Sequence, residues 1–128
     1  MIWYLDTSAA MKFLTTTEAH TEEIRNLAEE VRPTMVSTYL LETELRRAAR
    51  RVPDVGQDKV SAFLSGVKLL EMPPLLFRKA GLIDGPNLRS LDALNLAGAS
   101  MSGADCLVTY DFRLAEAGRE IGLDVLTP

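Results

Sequence analysis

Short apolar runs alternate along this chain with stretches whose apolar residues recur at helical spacing, and that alternation limits the fold more than any other feature. Ile2–Leu5, Thr34–Val36, Val67–Met72, Cys106–Thr109 and Asp124–Leu126 are too short for buried helices and read as strands. Helical patterns lie between them. Ser8–Leu14 follows the first strand, with Asp6 or Thr7 available as N-cap. Glu18–Val31 carries Ile24, Leu27, Ala28 and Val31 at i, i+3, i+4 and i+7. Thr38–Arg51 gathers Leu41, Leu45, Ala48 and Ala49 on one face, and Gln57–Leu64 is closed by Gly66. Pro74 stands in the first turn of a helix running towards Ile83, where its missing N–H costs nothing. Ser90–Ser102 is small and apolar around most of its circumference, Phe112–Ile121 follows, and Gly103 and Gly122 stand where C-terminal caps are expected. Strand-like runs separated by helical patterns predict an α/β architecture, with a central, mostly parallel sheet of four to five strands flanked by helices.

No repeat, low-complexity tract or linker interrupts the 128 residues, which predicts one domain over 1–128 that buries roughly two-thirds of its unfolded surface. Apolar residues make up 47% and charged residues 25%, and the net charge of −4 supplies no global positive field to draw in nucleic acid. That counts against a passive nucleic-acid binder, not against an enzyme whose acids sit at a metal. The chain reaches Asp6 before a secretory apolar region could form, and no run approaches the roughly 20 residues of a membrane span. Its one cysteine, Cys106, sits in a strand and reads as a small core residue. A soluble, cytoplasmic protein is expected.

Four acids stand where apolar elements begin or end. Asp6 closes the first strand, Glu44 lies in the Thr38–Arg51 helix, Asp92 occupies the first turn of the Ser90–Ser102 helix, and Asp111 follows the Cys106–Thr109 strand. In an open α/β sheet, ligands bind beyond the carboxyl ends of the strands, where Asp6 and Asp111 would both project. Carboxylates brought together repel unless a positive charge sits among them. A hard divalent cation is the economical remedy, and such an ion in an acidic pocket is a means of hydrolysing phosphodiesters.

The strings Tyr4-Leu5-Asp6-Thr7-Ser8-Ala9, Glu42-Thr43-Glu44-Leu45-Arg46-Arg47, Leu88-Arg89-Ser90-Leu91-Asp92-Ala93-Leu94-Asn95-Leu96-Ala97 and Leu107-Val108-Thr109-Tyr110-Asp111 resemble, in order and spacing, the successive motifs of PIN-domain ribonucleases, most closely the compact VapC-type toxins of bacterial toxin–antitoxin pairs. The resemblance covers essentially the whole chain. It implies a PIN-like α/β/α sandwich and a pocket binding Mg²⁺ or Mn²⁺, with Asp6, Glu44, Asp92 and Asp111 in the four acidic positions and Asp6 and Asp92 the leading ligands. Thr109 takes the hydroxyl position that holds the pocket together. RNA would be cut to leave a 5′-phosphate and a 3′-hydroxyl. A homodimer and a cognate VapB-type antitoxin, inserting a segment beside the pocket, are further implications. Asn95 departs from the family, whose members often carry histidine there, and bears on fine specificity rather than chemistry.

Taken singly, each acid has a plainer role. Asp6 and Asp111 can cap helices, Asp92 suits a helix dipole, and Glu44 can be a solvated helix residue. Only their joint order favours a pocket. Arg46, Arg47, Arg50 and Arg51 share one side of the Glu44 helix and could meet RNA phosphates or merely pair with nearby glutamates. His20 reads as a surface residue, and Trp3 and Tyr4 as core or dimer packing. A phosphate-receiver domain would need a second acid beside Asp6 and a late lysine, yet none follows Lys79. A haloacid-dehalogenase-type phosphatase would need an acid where Ser8 stands. The remaining alternative is a PIN fold that binds antitoxin or RNA with its chemistry lost.

Overall fold

The computed structural model describes residues Met1–Pro128. Five strands, β1 (Ile2–Leu5), β2 (Thr34–Thr38), β3 (Lys68–Leu70), β4 (Cys106–Val108) and β5 (Val125–Leu126), form one sheet in the order β3-β2-β1-β4-β5. Every pairing is parallel, as Trp3 opposite Met35 on one side and opposite Cys106 on the other illustrates. Seven helices complete the chain: α1 (Thr7–Lys12), α2 (Thr21–Val31), α3 (Leu40–Ala49), α4 (Gln57–Leu64), α5 (Pro74–Gly81), α6 (Ser90–Met101) and α7 (Phe112–Glu120).

The period-2 geometry of a strand decides how the helices are layered. Trp3, Leu5, Cys106 and Val108 face one way and pack with Ala9 of α1 and Ile24 of α2. Tyr4 and Leu107 face the other way, onto Leu96 and Ala99 of α6 and Leu114 of α7. Trp3, Tyr4 and Leu5 are all fully buried, which is why β1 reads as a continuous apolar run rather than an alternating one. A further cluster joins Met11 of α1 and Leu14 just beyond it to Leu41 and Leu45 of α3 and Val60 of α4, while α5 packs on α6 through Leu76, Ala80, Ala93 and Ala97. The result is an α/β/α sandwich around a parallel sheet.

Element boundaries differ from expectation where tertiary contacts override local pattern. The second helix starts at Thr21 rather than Glu18, because His20 adopts a left-handed backbone (φ 65°) through which a right-handed helix cannot propagate. Arg25 holds the preceding loop by donating to the carbonyls of Phe13 and Thr15 at 2.9 and 3.0 Å. The third helix starts at Leu40 rather than Thr38, since Thr38 is still paired with Leu70 in the sheet. Gly103 and Gly122 take positive φ (73° and 87°) beyond α6 and α7, as C-terminal caps do, whereas Gly66 does not and Ser65 is the C-cap of α4.

The strand order turns around between β1 and β4: β2 and β3 lie to one side, β5 to the other. Connections leave this point in opposite directions and open a crevice at the carboxyl ends of β1 and β4. Asp6 and Thr109 are the residues that emerge there.

Candidate active site

Asp6 is the fixed centre of that crevice. It is 6% exposed and serves as N-cap of α1, with Oδ1 accepting from the Ala9 N–H at 2.9 Å. Ser8 Oγ donates to the same carboxylate (2.7 and 3.0 Å to its two oxygens), and Thr109 Oγ1 donates to Oδ2 at 2.6 Å. Both hydroxyls are themselves oriented from behind. The Tyr110 N–H donates to Ser8 Oγ at 2.9 Å, and the Asp111 N–H donates to Thr109 Oγ1 at 3.0 Å. Two backbone amides of the β4–α7 turn therefore act through two hydroxyls on one carboxylate, fixing β1 to β4 at the crevice.

The other acids come from three further elements. Asp6, Glu44, Asp92 and Asp111 all line one cavity of about 600 Å³, together with Thr7, Ser8, Lys12, Glu18, Arg89 and Asn95 among others. Glu44 and Asp92 are half-buried and Asp111 is exposed. Asp111 also caps α7, accepting from the N–H groups of Arg113 and Leu114 at 2.9 and 3.2 Å, so the plainer role and the pocket position coexist in one residue. None of the four takes part in an ion pair; those of the chain are Lys12–Glu18, His20–Glu23 and Arg46–Glu42.

Their mutual repulsion shows in proton affinity. Burial holds the Asp6 carboxyl above its ordinary value of 3.8; the bonds from Thr109, Ala9 and Ser8 pull the other way, and the charge of Asp111 adds to the rise. Burial likewise raises Glu44 above its ordinary 4.5, reinforced by the charges of Asp6 and Asp92 and opposed by the dipoles of Thr7 and Asn95. Asn95 is 7% exposed, accepts from Tyr4 Oη at 3.0 Å and donates to the Leu91 carbonyl at 3.2 Å, so the sheet beneath sets its position. Thr7 Oγ1 is buried and makes no hydrogen bond of good geometry, although it lies near enough to Glu44 to lower its proton affinity.

The donor set suits a hard divalent cation. Carboxylate oxygens from four elements surround one space, a hydroxyl there makes no hydrogen bond of good geometry, and no cation of the chain is paired with the acids. No three acidic, histidine or cysteine side chains stand close enough together in this structure to form a ready-made metal cage.

A pH dependence follows. A carboxyl with raised folded pKa binds its proton more tightly in the folded than in the unfolded chain, so its contribution to stability falls as pH rises through that window. The Tm of metal-free protein is therefore expected to carry a component that declines above about pH 4 and levels off beyond the raised pKa values. Differential scanning fluorimetry across pH should show that component shrinking in Asp6→Asn; an identical pH profile in the variant would contradict the assigned cause.

Ser8, Lys12 and Arg89 escaped sequence reasoning, because contacts between distant segments bring them to the cavity. Arg46, one of four arginines weighed as a phosphate contact, is committed elsewhere: it pairs with Glu42 at 3.1 Å and donates to Gln57 and Ser61, fastening α3 to α4. Arg47, Arg50 and Arg51 are exposed and do not line the cavity.

The profile of the PIN domain family matches residues 3–120, and the chain belongs to that family. It is 35% identical over 130 residues to Ribonuclease VapC35 of Mycobacterium tuberculosis, with 98% of this chain and 96% of that protein covered. Among solved structures it resembles VapC20 of Mycobacterium tuberculosis, a sarcin–ricin loop cleaving toxin, with a TM-score of 0.76 at 16% identity and coverage of 98% and 99%. It also resembles a chain of the VapBC2 complex of Rickettsia felis bound to a promoter DNA fragment, with a TM-score of 0.66 at 19% identity and 98% coverage of each. No helix of the chain is long and apolar enough to cross a membrane.

Proposed function

We propose that this chain is a Mg²⁺- or Mn²⁺-dependent endoribonuclease and the toxin of a toxin–antitoxin pair. The observation that carries this reading is the gathering of Asp6, Glu44, Asp92 and Asp111 in one cavity at the sheet's turning point, with no cation of the chain paired to them. The curated relatives named VapC ribonucleases support it.

Asp6, Glu44, Asp92 and Asp111 would hold the ion, which supplies a water of lowered pKa and neutralises charge developing on the phosphoryl oxygens. The chain's own groups supply positioning. Asp6 is locked by the Ser8, Thr109 and Ala9 donors, so binding an ion demands no reorganisation at the deepest ligand. Glu44, half-buried and facing the charges of Asp6 and Asp92, would be relieved by a cation among them. Lys12 and Arg89 are the cationic side chains among the cavity's walls, placed to meet phosphates on either side of the cleaved bond.

A ribonuclease free in the cell requires restraint. The proposed restraint is a small VapB-type antitoxin whose inserted segment brings a basic residue to the acids. The toxin is proposed to be a cytoplasmic homodimer. Expressed alone, the wild-type protein should arrest growth and Asp6→Asn should not, because the amide cannot contribute a charge to the pocket. Equal arrest by the two proteins, at matched levels, would defeat the catalytic reading and leave a PIN fold acting through binding.

A further inference from the structure

The acid cavity shares a wall with a neighbour. Lys12 and Tyr110 line it, and the same two side chains line a second cavity of about 390 Å³ whose other walls are His20, Phe112 and Thr127. The His20 and Tyr110 rings stack at 5.5 Å with 17° between their planes, and Lys12 Nζ lies 5.2 Å from the centre of the Tyr110 ring. Phe112, directly after Asp111, is 84% exposed. A single exposed phenylalanine needs no explanation, but three aromatic rings and an ammonium around one cavity do.

His20 sharpens the point. It stands at the N-cap position of α2 with φ 65°, a costly backbone for a residue bearing a side chain, and its imidazole makes no capping bond. The carbonyl of His20 accepts from the Ile24 N–H at 3.3 Å and its ring lies 3.9 Å from Glu23, while the left-handed backbone accompanies a ring laid against Tyr110.

We infer that this second cavity is a nucleobase subsite, taking the base of a nucleotide beside the scissile phosphate of a single-stranded RNA. The inference rests on the ribonuclease reading above and adds to it the part of the substrate that stacks. The base packs on the exposed ring of Phe112, beside the His20–Tyr110 stack, and Lys12, on the wall common to both cavities, meets the phosphate between them. Lys12 is held there by a partly exposed pair with Glu18 at 3.1 Å, a kind of contact a phosphate readily displaces. Stacking demands an unpaired base, since a base within a duplex has no free face. It also reads every base alike, so this subsite selects single strands rather than a sequence.

The test separates this subsite from the nuclease reading. Binding of a fluorescein-labelled single-stranded oligoribonucleotide is followed by anisotropy on Asp92→Asn protein, in which cleavage is suppressed, and wild-type protein is assayed for cleavage of the same RNA. Adding Phe112→Ala is expected to raise Kd about tenfold, with Phe112→Tyr restoring it. An abasic nucleotide at one position next to the cleaved bond should weaken binding to the parent but not to the Phe112→Ala protein. His20→Gly, which relieves the left-handed backbone, should weaken binding while leaving Tm unchanged or raised. Equal Kd for parent and Phe112→Ala overturns the subsite whatever the cleavage assay shows. So does a variant that binds RNA normally but loses capture of the antitoxin, which would make the surface a protein interface. If wild type cleaves nothing while the tenfold binding effect persists, the nuclease reading falls and the subsite stands.

Discussion

Asp92→Ala is expected to lower kcat/KM for RNA cleavage by at least about 10³-fold while moving Tm by only a few degrees. The two effects separate because of where Asp92 sits. It lies half-buried in the first turn of α6, whose N-cap is Arg89 and which has no side-chain capping bond to lose. Removing its favourable interaction with the helix dipole costs only about 0.3–1 kcal/mol. Its charge reaches Glu44 across the cavity, so its loss also relieves repulsion there. An ion at such a site contributes several kcal/mol of transition-state charge stabilisation, and each 1.36 kcal/mol is a factor of ten in rate. Asp6→Ala, by contrast, should damage fold and activity together, because the Ser8, Thr109 and Ala9 donors all lose their acceptor. Steady-state kinetics beside thermal melts distinguishes the cases. An Asp92→Ala protein with unimpaired kcat/KM would remove Asp92 from the site.

Gly98→Ala is expected to destabilise the protein by up to about 2 kcal/mol net, lowering Tm by a few degrees, although alanine is the better helix former. A Cβ at Gly98 would lie 2.7 Å from Thr38 Cγ2 and 2.8 Å from Tyr4 Oη. Neither neighbour can yield cheaply. Thr38 is β-branched, 1% exposed and paired in β2, and Tyr4 is fully buried with its hydroxyl bonded to Asn95. The propensity gain of about 1 kcal/mol is outweighed by overpacking of about 1–3 kcal/mol. Gly81, at the end of α5 with nothing within 4 Å of its would-be Cβ, is the control: Gly81→Ala should leave stability equal or higher. Melts of both variants decide it. If Gly98→Ala stabilised the protein as Gly81→Ala does, the close contact between α6 and the sheet would be wrong.

The sheet was legible because its signals are local. Trp3, Tyr4 and Leu5 are buried on both faces and leave a continuous apolar run, and the small residues of α6 announce a helix pressed against the sheet. The acids were legible because each sits at the end of a strand or in a helix turn that the pattern itself marks. What escaped notice depends on contacts between distant segments. Ser8 looked like part of a helix start, and only its bond from the Tyr110 N–H shows that it ties α1 to the far turn. Lys12 and Arg89 are ordinary surface cations in sequence, and only the fold puts them on the walls of one cavity. His20 read as an idle surface residue; its stacking on Tyr110 depends on a left-handed backbone that local propensity disfavours. Arg46 illustrates the reverse, a basic residue in a suggestive row that is spent on joining two helices.

The central claim is that this acidic cavity cuts RNA with the help of a divalent ion. The most direct measurement maps the 5′ ends generated in total RNA by purified wild-type protein with Mg²⁺, by wild type with the ion chelated, and by Asp92→Ala with Mg²⁺. Discrete new 5′-phosphate ends should appear in the first reaction and be absent from the other two. The same ends at the same abundance in the Asp92→Ala reaction would contradict the account.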